Sequence, residues 1–239
     1  MPVTAAPPPP SVADARPEVI PGAAYGLPDG ARMKRAEYHR LYEKTPPGFR
    51  AELIEGTIHV RLREPVTVSE PHSTYQQMLS QWLGEYVKRE PAAKARSTPT
   101  VLLDEDAEPE PDGVLMRRRP GEEPGDQAGP GAAGHVDRPP ELTAEISVSS
   151  LAKDLGPKFR DYHAAGVAEY VVFDVRGRRA RWFARDADGV FVDLPPGPDG
   201  VLKSREFPGL WLDVAAFYAE DAAAVEAAVA KGVAARDAA

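Results

Sequence analysis

Three carboxylates in this chain, Glu52, Asp112 and Glu145, fall within or beside short apolar runs, and Lys158 follows the last of them by thirteen residues. An ionised carboxylate inside a run such as "ELTAEISVS" is costly to bury unless a cation faces it. Carboxylates grouped on neighbouring strands make a site for a divalent cation, which activates water and offsets phosphate charge. A lysine at such a site orients the attacking water or stabilises a pentavalent phosphate. Taken singly, each acid is an ordinary edge or solvent-facing residue, and a lysine near a helix start is ordinarily solvated. The combination is what points to metal-assisted phosphoryl chemistry.

The chain around these residues has 239 amino acids, 42% hydrophobic and 28% charged, enough for one globular domain with a real core. It has no cysteine, which excludes disulfides and thiolate zinc sites. A metal must then be held by carboxylates, carbonyls or the five histidines, a donor set that favours Mg²⁺ or Mn²⁺. No apolar run is long enough to span a bilayer, and the first residues lack the basic start and apolar core of a secretory signal. A cytoplasmic protein without membrane association is expected. The net charge of -8 argues against a simple electrostatic nucleic-acid binder. The charge is uneven, however. Residues 101–150 carry twelve acids against four arginines, and residues 151–185 carry eight Lys/Arg against four acids. Such an alternation fits either a cation site beside a phosphate-facing surface or solvated loops.

The elements that must position these groups follow from pattern. Residues 1–30, rich in Pro, Ala and Gly, read as a disordered arm, 31–220 as the domain, and 221–239 as an Ala-rich C-terminal helix or tail. "AELIEGTIHVRL" reads as two strands about a Glu55-Gly56 turn. Tyr75, Met78, Leu79, Trp82, Leu83, Tyr86 and Val87 recur at helical spacing, with Ser73 or Thr74 available as cap. Strands are expected at "STPTVLLD", in "EPEPDGVLMRR" and at "ELTAEISVS", with a surface loop over 119–140. "GPKFRDYHAAG" reads as a helix with Pro157 and Lys158 in its first turn and Gly166 as its stop. A lysine there removes no core volume, so Lys158→Ala is expected to leave the fold intact. "EYVVFDV", "RARWFARD" and "GVFVDLP" then make an antiparallel meander. The order suggests one α/β or α+β domain with a mixed sheet.

On "AELIEGTIHV", "PHSTYQQMLSQWL", "PEPDGVLM", "PPELTAEISVSS", "KDLGPKFRDYHAAGVAEYVVFDV" and "FPGLWLDVAAFY", the chain resembles the Uma-type family of endonucleases, within the PD-(D/E)XK restriction-endonuclease-like superfamily. The resemblance runs over residues 34–218 and is most specific from Lys153 to Asp174. It implies a restriction-endonuclease-like α/β fold, a central mixed sheet flanked by helices with an antiparallel C-terminal meander. It implies metal-dependent hydrolysis of phosphodiester bonds with DNA as substrate. Asp112 then becomes the aspartate of the PD motif and Glu145 the acid of the second motif, together holding Mg²⁺ or Mn²⁺ with the Ile146 carbonyl as a further ligand. The lysine expected two residues after that acid is absent, since position 147 is Ser147, and Lys158 matches a position displaced into the following helix. Glu52 completes the acidic cluster. His72 matches a histidine without an assigned role, for which helix capping is the plainer reading. The superfamily commonly pairs to cut two strands, so a homodimer is expected, with the aromatics of "RARWFARD" as the local hint. The competing reading is a catalytically inactive nucleic-acid- or protein-binding module on the same fold.

Overall fold

The computed structural model describes residues 20–61, 70–122 and 135–238. Its centre is a six-stranded mixed sheet. The strands are β3 (Ala93–Ser97), β4 (Gly113–Arg117), β5 (Leu142–Ser147), β6 (Glu169–Asp174), β7 (Arg179–Arg185) and β8 (Phe191–Asp193), adjacent in chain order. Every neighbouring pair is antiparallel except β5 and β6, which run parallel. A parallel pair needs a crossover. Here it is the helical segment formed by α3 (Leu151–Lys153), a π-helical turn over Asp154–Lys158 and α4 (Phe159–Ala165). Two hairpins sit beside the sheet, β1 (Ala51–Ile54) with β2 (Thr57–Val60) and β9 (Val201–Lys203) with β10 (Trp211–Asp213). The remaining helices are α1 (Arg35–Tyr42), α2 (Glu70–Arg89), α5 (Val214–Tyr218) and α6 (Ala222–Asp237).

The two faces of the sheet are covered by different elements, and strand alternation decides which residues meet them. On β5, Leu142, Ala144 and Ile146 face the main core with Val171 and Phe173 of β6. This core holds the buried face of α2, residues Tyr75, Met78, Leu79, Trp82, Leu83 and Tyr86, as the helical spacing predicted. Edge-to-face contacts of Trp82 with Trp182 and Phe173 lock that helix onto the strands. The opposite face carries Thr143, Glu145 and Ser147, all buried. There the crossover segment packs Tyr162 against Tyr170, Val172 and Phe183.

Several expectations are corrected. The strand expected at "STPTVLLD" lies earlier, at Ala93–Ser97, and ends where Thr98 turns to φ +46°. Ser73 and Thr74 are inside α2, which begins at Glu70, so neither caps it. The helix expected from Gly156 starts at Leu151 and places Lys158 well inside. Pro157 lacks the N–H that an α-helix would bond to Lys153, and its ring crowds that carbonyl, so the turn widens. The Ala-rich C-terminal segment is the helix α6, separated from α5 where Glu220 adopts φ +59° and started by the Asp221 side chain accepting the Ala224 N–H. Of the two expected forms, helix or tail, it takes the helix and is docked, for Val225, Val229 and Val233 belong to the main core. The arm shortens too: Leu27 is fully buried with Tyr38, Leu53 and Ile58, while residues 1–19 lie outside the described residues, as does 123–134 of the expected surface loop. The short β9–β10 hairpin was not foreseen. Trp182 and Phe183 are buried, so β7 presents none of the aromatic surface on which the homodimer expectation leaned.

Candidate active site

Four elements converge on the polar face of β5. Gly113 pairs with Ala144 and Val114 with Thr143, so alternation puts Asp112, one residue before β4, on the same face as Glu145. Asp112 is fixed there by backbone: its Oδ2 accepts the Ile146 N–H at 2.7 Å. Its own carbonyl accepts from Gln76 of α2 at 2.8 Å. The crossover segment brings Lys158, whose Nζ lies 2.8 Å from Glu145 Oε1 and 2.7 Å from Glu52 Oε1. The hydroxyl of Tyr162 donates to the same Glu145 oxygen at 2.9 Å. Glu52 arrives on the β1–β2 hairpin, whose turn places Glu55 and Gly56 at positive φ, as a tight two-residue hairpin turn requires. That turn is tied to α4, because the Glu55 N–H donates to Asp161 Oδ2 at 2.9 Å. Arg160 grips the Glu55 carboxylate with two hydrogen bonds of 2.6 and 3.0 Å.

The structure therefore brings Glu52, Glu145 and Lys158 into direct contact and sets Asp112 on the adjoining strand against the Ile146 amide. Lys158 is 1% exposed, not the solvated first-turn residue of the sequence reading, and its removal would strand buried carboxylates. The expectation that Lys158→Ala leaves the fold intact is thereby overturned. His72 does not serve as a cap: its Nε2 lies 3.3 Å from Asp112 Oδ1, and that interaction raises its pKa.

Electrostatics separates the two glutamates that share the lysine. Burial alone would raise Glu52, but Lys158, Arg61 and Lys153 outweigh it and hold the carboxyl well below the usual range. Arg61 lies 3.0 Å and Lys153 3.2 Å from Glu52 Oε2. Burial pushes Glu145 up to about 8, because Lys158 is its one cationic contact among the described residues while Asp154, Asp112 and Glu52 repel it. Burial would depress Lys158, yet Glu145 and Glu52 reverse this and raise it. Lys158 is thus shared between one carboxylate held ionised and one that burial keeps largely protonated at neutral pH.

Comparison with known proteins gives this geometry a context. The family model described as Uma2, putative restriction endonuclease, matches residues 35–215. The chain belongs to that family. Among solved structures it is similar to a putative nuclease of DUF820 from Anabaena variabilis ATCC 29413, at 17% identity and a TM-score of 0.55. That match covers 76% of this chain and 97% of the other. No curated protein matches the chain. The fold is restriction-endonuclease-like, and family membership supports a nuclease-like function. No helix among the described residues is long and apolar enough to cross a membrane.

Sequence reasoning missed several groups around the cluster. Arg61 lacked any signal beyond charge, and Lys153 opened the stretch most specific to the family without being singled out. Tyr162 was hidden as one aromatic among many. Asp154 is buried and accepts hydrogen bonds from the Ser147 and Ser150 hydroxyls, while its carbonyl accepts from Tyr170 at 2.9 Å. An Asp four residues after a Ser-Ser pair was the available hint.

Proposed function

We propose that this protein is a metal-dependent endonuclease hydrolysing phosphodiester bonds in DNA. The observation that carries the reading is the Glu52–Lys158–Glu145 contact beside Asp112. An ammonium held by two buried carboxylates has a fixed position, and the third carboxylate lies next to it on the same face of the sheet.

The donors fit a hard divalent cation. Both described bonds to Glu145 fall on Oε1, which leaves Oε2 to a cation. Asp112 commits Oδ2 to a backbone amide and turns Oδ1 to His72, a contact long enough to be exchanged. Burial holds Glu145 partly protonated, and a cation would ionise it. Asp112 and Glu145 would hold Mg²⁺ or Mn²⁺, with the Ile146 carbonyl beside them. Bound there, the ion supplies an activated water and offsets charge on the scissile phosphate.

The remaining work falls to the chain. Two of the three Lys158 ammonium hydrogens point at Glu52 and Glu145, leaving one to orient the nucleophilic water or meet the developing phosphorane. Glu52 fixes that ammonium and is itself kept ionised by Arg61 and Lys153. Tyr162 holds the carboxyl plane of Glu145 through its hydroxyl.

The test is cleavage of supercoiled plasmid and of single-stranded DNA by purified protein with Mg²⁺, Mn²⁺ or EDTA, alongside Asp112→Asn. Cleavage that needs the metal and falls by at least about 10²-fold in Asp112→Asn supports the proposal. A wild-type protein that binds nucleic acid but cleaves none with any metal would instead favour the inactive binding module.

A further inference from the structure

A second group of ligand-type side chains lies outside the cluster just described. His39 on α1 and Glu43, one turn further along the same helical path, present their side chains to His135, at the far end of the β4–β5 connection. His39 Nε2 lies 3.6 Å from Glu43 Oε1, and His135 Nε2 lies 3.9 Å from that oxygen. The three ligand atoms are all within 4.8 Å of one another. The two imidazole rings meet edge to face at 4.7 Å.

These separations are too long for hydrogen bonds. They are close to the spacing of ligands around a tetrahedral ion, about 3.4 Å for bonds of about 2.0–2.1 Å. Two further observations argue against an ordinary surface contact. His135 Nε2 is buried and has no hydrogen-bond partner. Glu108 is also buried, its Oε2 likewise unpartnered, while its Oε1 takes the His39 Nδ1 at 2.8 Å. Glu108 occupies the Nδ1 side of the His39 ring, which leaves Nε2 as the nitrogen facing Glu43 and His135. A carboxylate behind a histidine is the usual support of a metal-bound imidazole, fixing its tautomer and raising its basicity.

We propose that His39, Glu43 and His135 form a transition-metal site, with Zn²⁺ as the preferred ion, Glu108 as its supporting carboxylate and a fourth position open to solvent. Two imidazoles and one carboxylate suit Zn²⁺ far better than Mg²⁺, which takes oxygen ligands. The ion would clamp α1 to the chain that leads into β5. Glu108 forms a backbone bridge with Leu53, the neighbour of Glu52, so the clamp stands behind the strand that delivers Glu52. This role is structural and does not depend on the nuclease reading.

The experiment is titration of chelator-stripped, full-length protein with Zn²⁺ alone, read by calorimetry and by thermal unfolding. The proteins compared are wild type, Asp112→Asn, Glu43→Gln and His135→Ala, each checked for native circular dichroism. Glu43 is about half exposed, so its amide variant keeps the fold. Asp112→Asn should bind one equivalent of Zn²⁺ with a higher melting temperature, unaffected by millimolar Mg²⁺, and wild type should bind that same equivalent beside any taken up at Asp112 and Glu145. Glu43→Gln and His135→Ala should lose affinity by at least tenfold. X-ray absorption of the zinc form should show two imidazole ligands. Loss of binding in Asp112→Asn, equal binding in Glu43→Gln and His135→Ala, or no saturable binding by wild type would each overturn the proposal.

Discussion

Replacing Lys158 by methionine removes the one fully buried cation of the site while keeping most of its volume, so no cavity is opened. The consequence is electrostatic. Glu52 loses a partner at 2.7 Å but keeps Arg61 at 3.0 Å and Lys153 at 3.2 Å, whereas Glu145 keeps only the Tyr162 hydroxyl. Breaking a buried pair from one side costs about 3–5 kcal/mol. The two surviving partners of Glu52 put the expected loss near the lower end, about 3 kcal/mol at pH 7. The loss should grow above pH 8. Wild-type Glu145 ionises at about 8 beside Lys158, whereas in the variant it stays protonated to higher pH. The folded variant then holds a proton that both the unfolded chain and the wild type have released. Its stability therefore falls faster with pH, by up to about 1.4 kcal/mol per unit. Urea unfolding in EDTA at pH 7 and pH 9 measures this, and a cycle with Glu52→Gln should show a coupling of at least about 1 kcal/mol. A loss under 1 kcal/mol at both pH values, with no coupling, would refute the claim that the Glu52–Lys158–Glu145 contact organises this face.

Asp161→Asn keeps an acceptor for the Glu55 amide while removing a carboxyl that burial pushes up to about 7. The folded value exceeds the unfolded one near 3.9, so the native state retains a proton that the unfolded state has lost, and stability drops as pH rises between them. The variant should gain about 1.5 kcal/mol over wild type at pH 5 and about 4 kcal/mol at pH 8 by urea unfolding; a pH-independent difference would contradict this. Gly232→Ala should cost about 1–3 kcal/mol despite the better helix propensity of alanine. A Cβ there would lie 2.4 Å from the Gly209 carbonyl oxygen and 2.6 Å from Trp211, and an unchanged melting temperature would show that α6 docks more loosely than this.

The fold was legible where one physical signal dominated. The stripe from Tyr75 to Tyr86 has one apolar face and one destination, so period alone located α2. The Glu55-Gly56 turn was legible because few dipeptides accept two positive φ values. The crossover helix was misread because Gly156-Pro157 resembles a helix start, yet the helix passes through it by widening one turn. No local pattern announces that solution, which depends on buried contacts of Asp154 and Lys158 supplied by other elements. The C-terminal helix was legible as a helix but not as part of the core, because its alanines show little contrast between faces, and only packing against α2 identifies Val225, Val229 and Val233 as core.

The site was legible in its charged members and opaque in how they are joined. Glu145 stood out because an acid in an all-buried strand has to be compensated, and the compensating group in the structure is Lys158. A lysine at position 147 would place its charge on the same face as Glu145 directly, two residues along the strand. Ser147 brings no charge, but its hydroxyl bonds Asp154, the residue that opens the π-helical turn ending in Lys158. Ser150 bonds the same carboxylate, and Tyr170 of β6 holds the Asp154 carbonyl. Ser147 therefore helps to anchor the segment that delivers Lys158. That coupling joins residues 145, 147, 154 and 158 into one unit, so a change at Ser147 should act on Lys158 although the two side chains share no hydrogen bond.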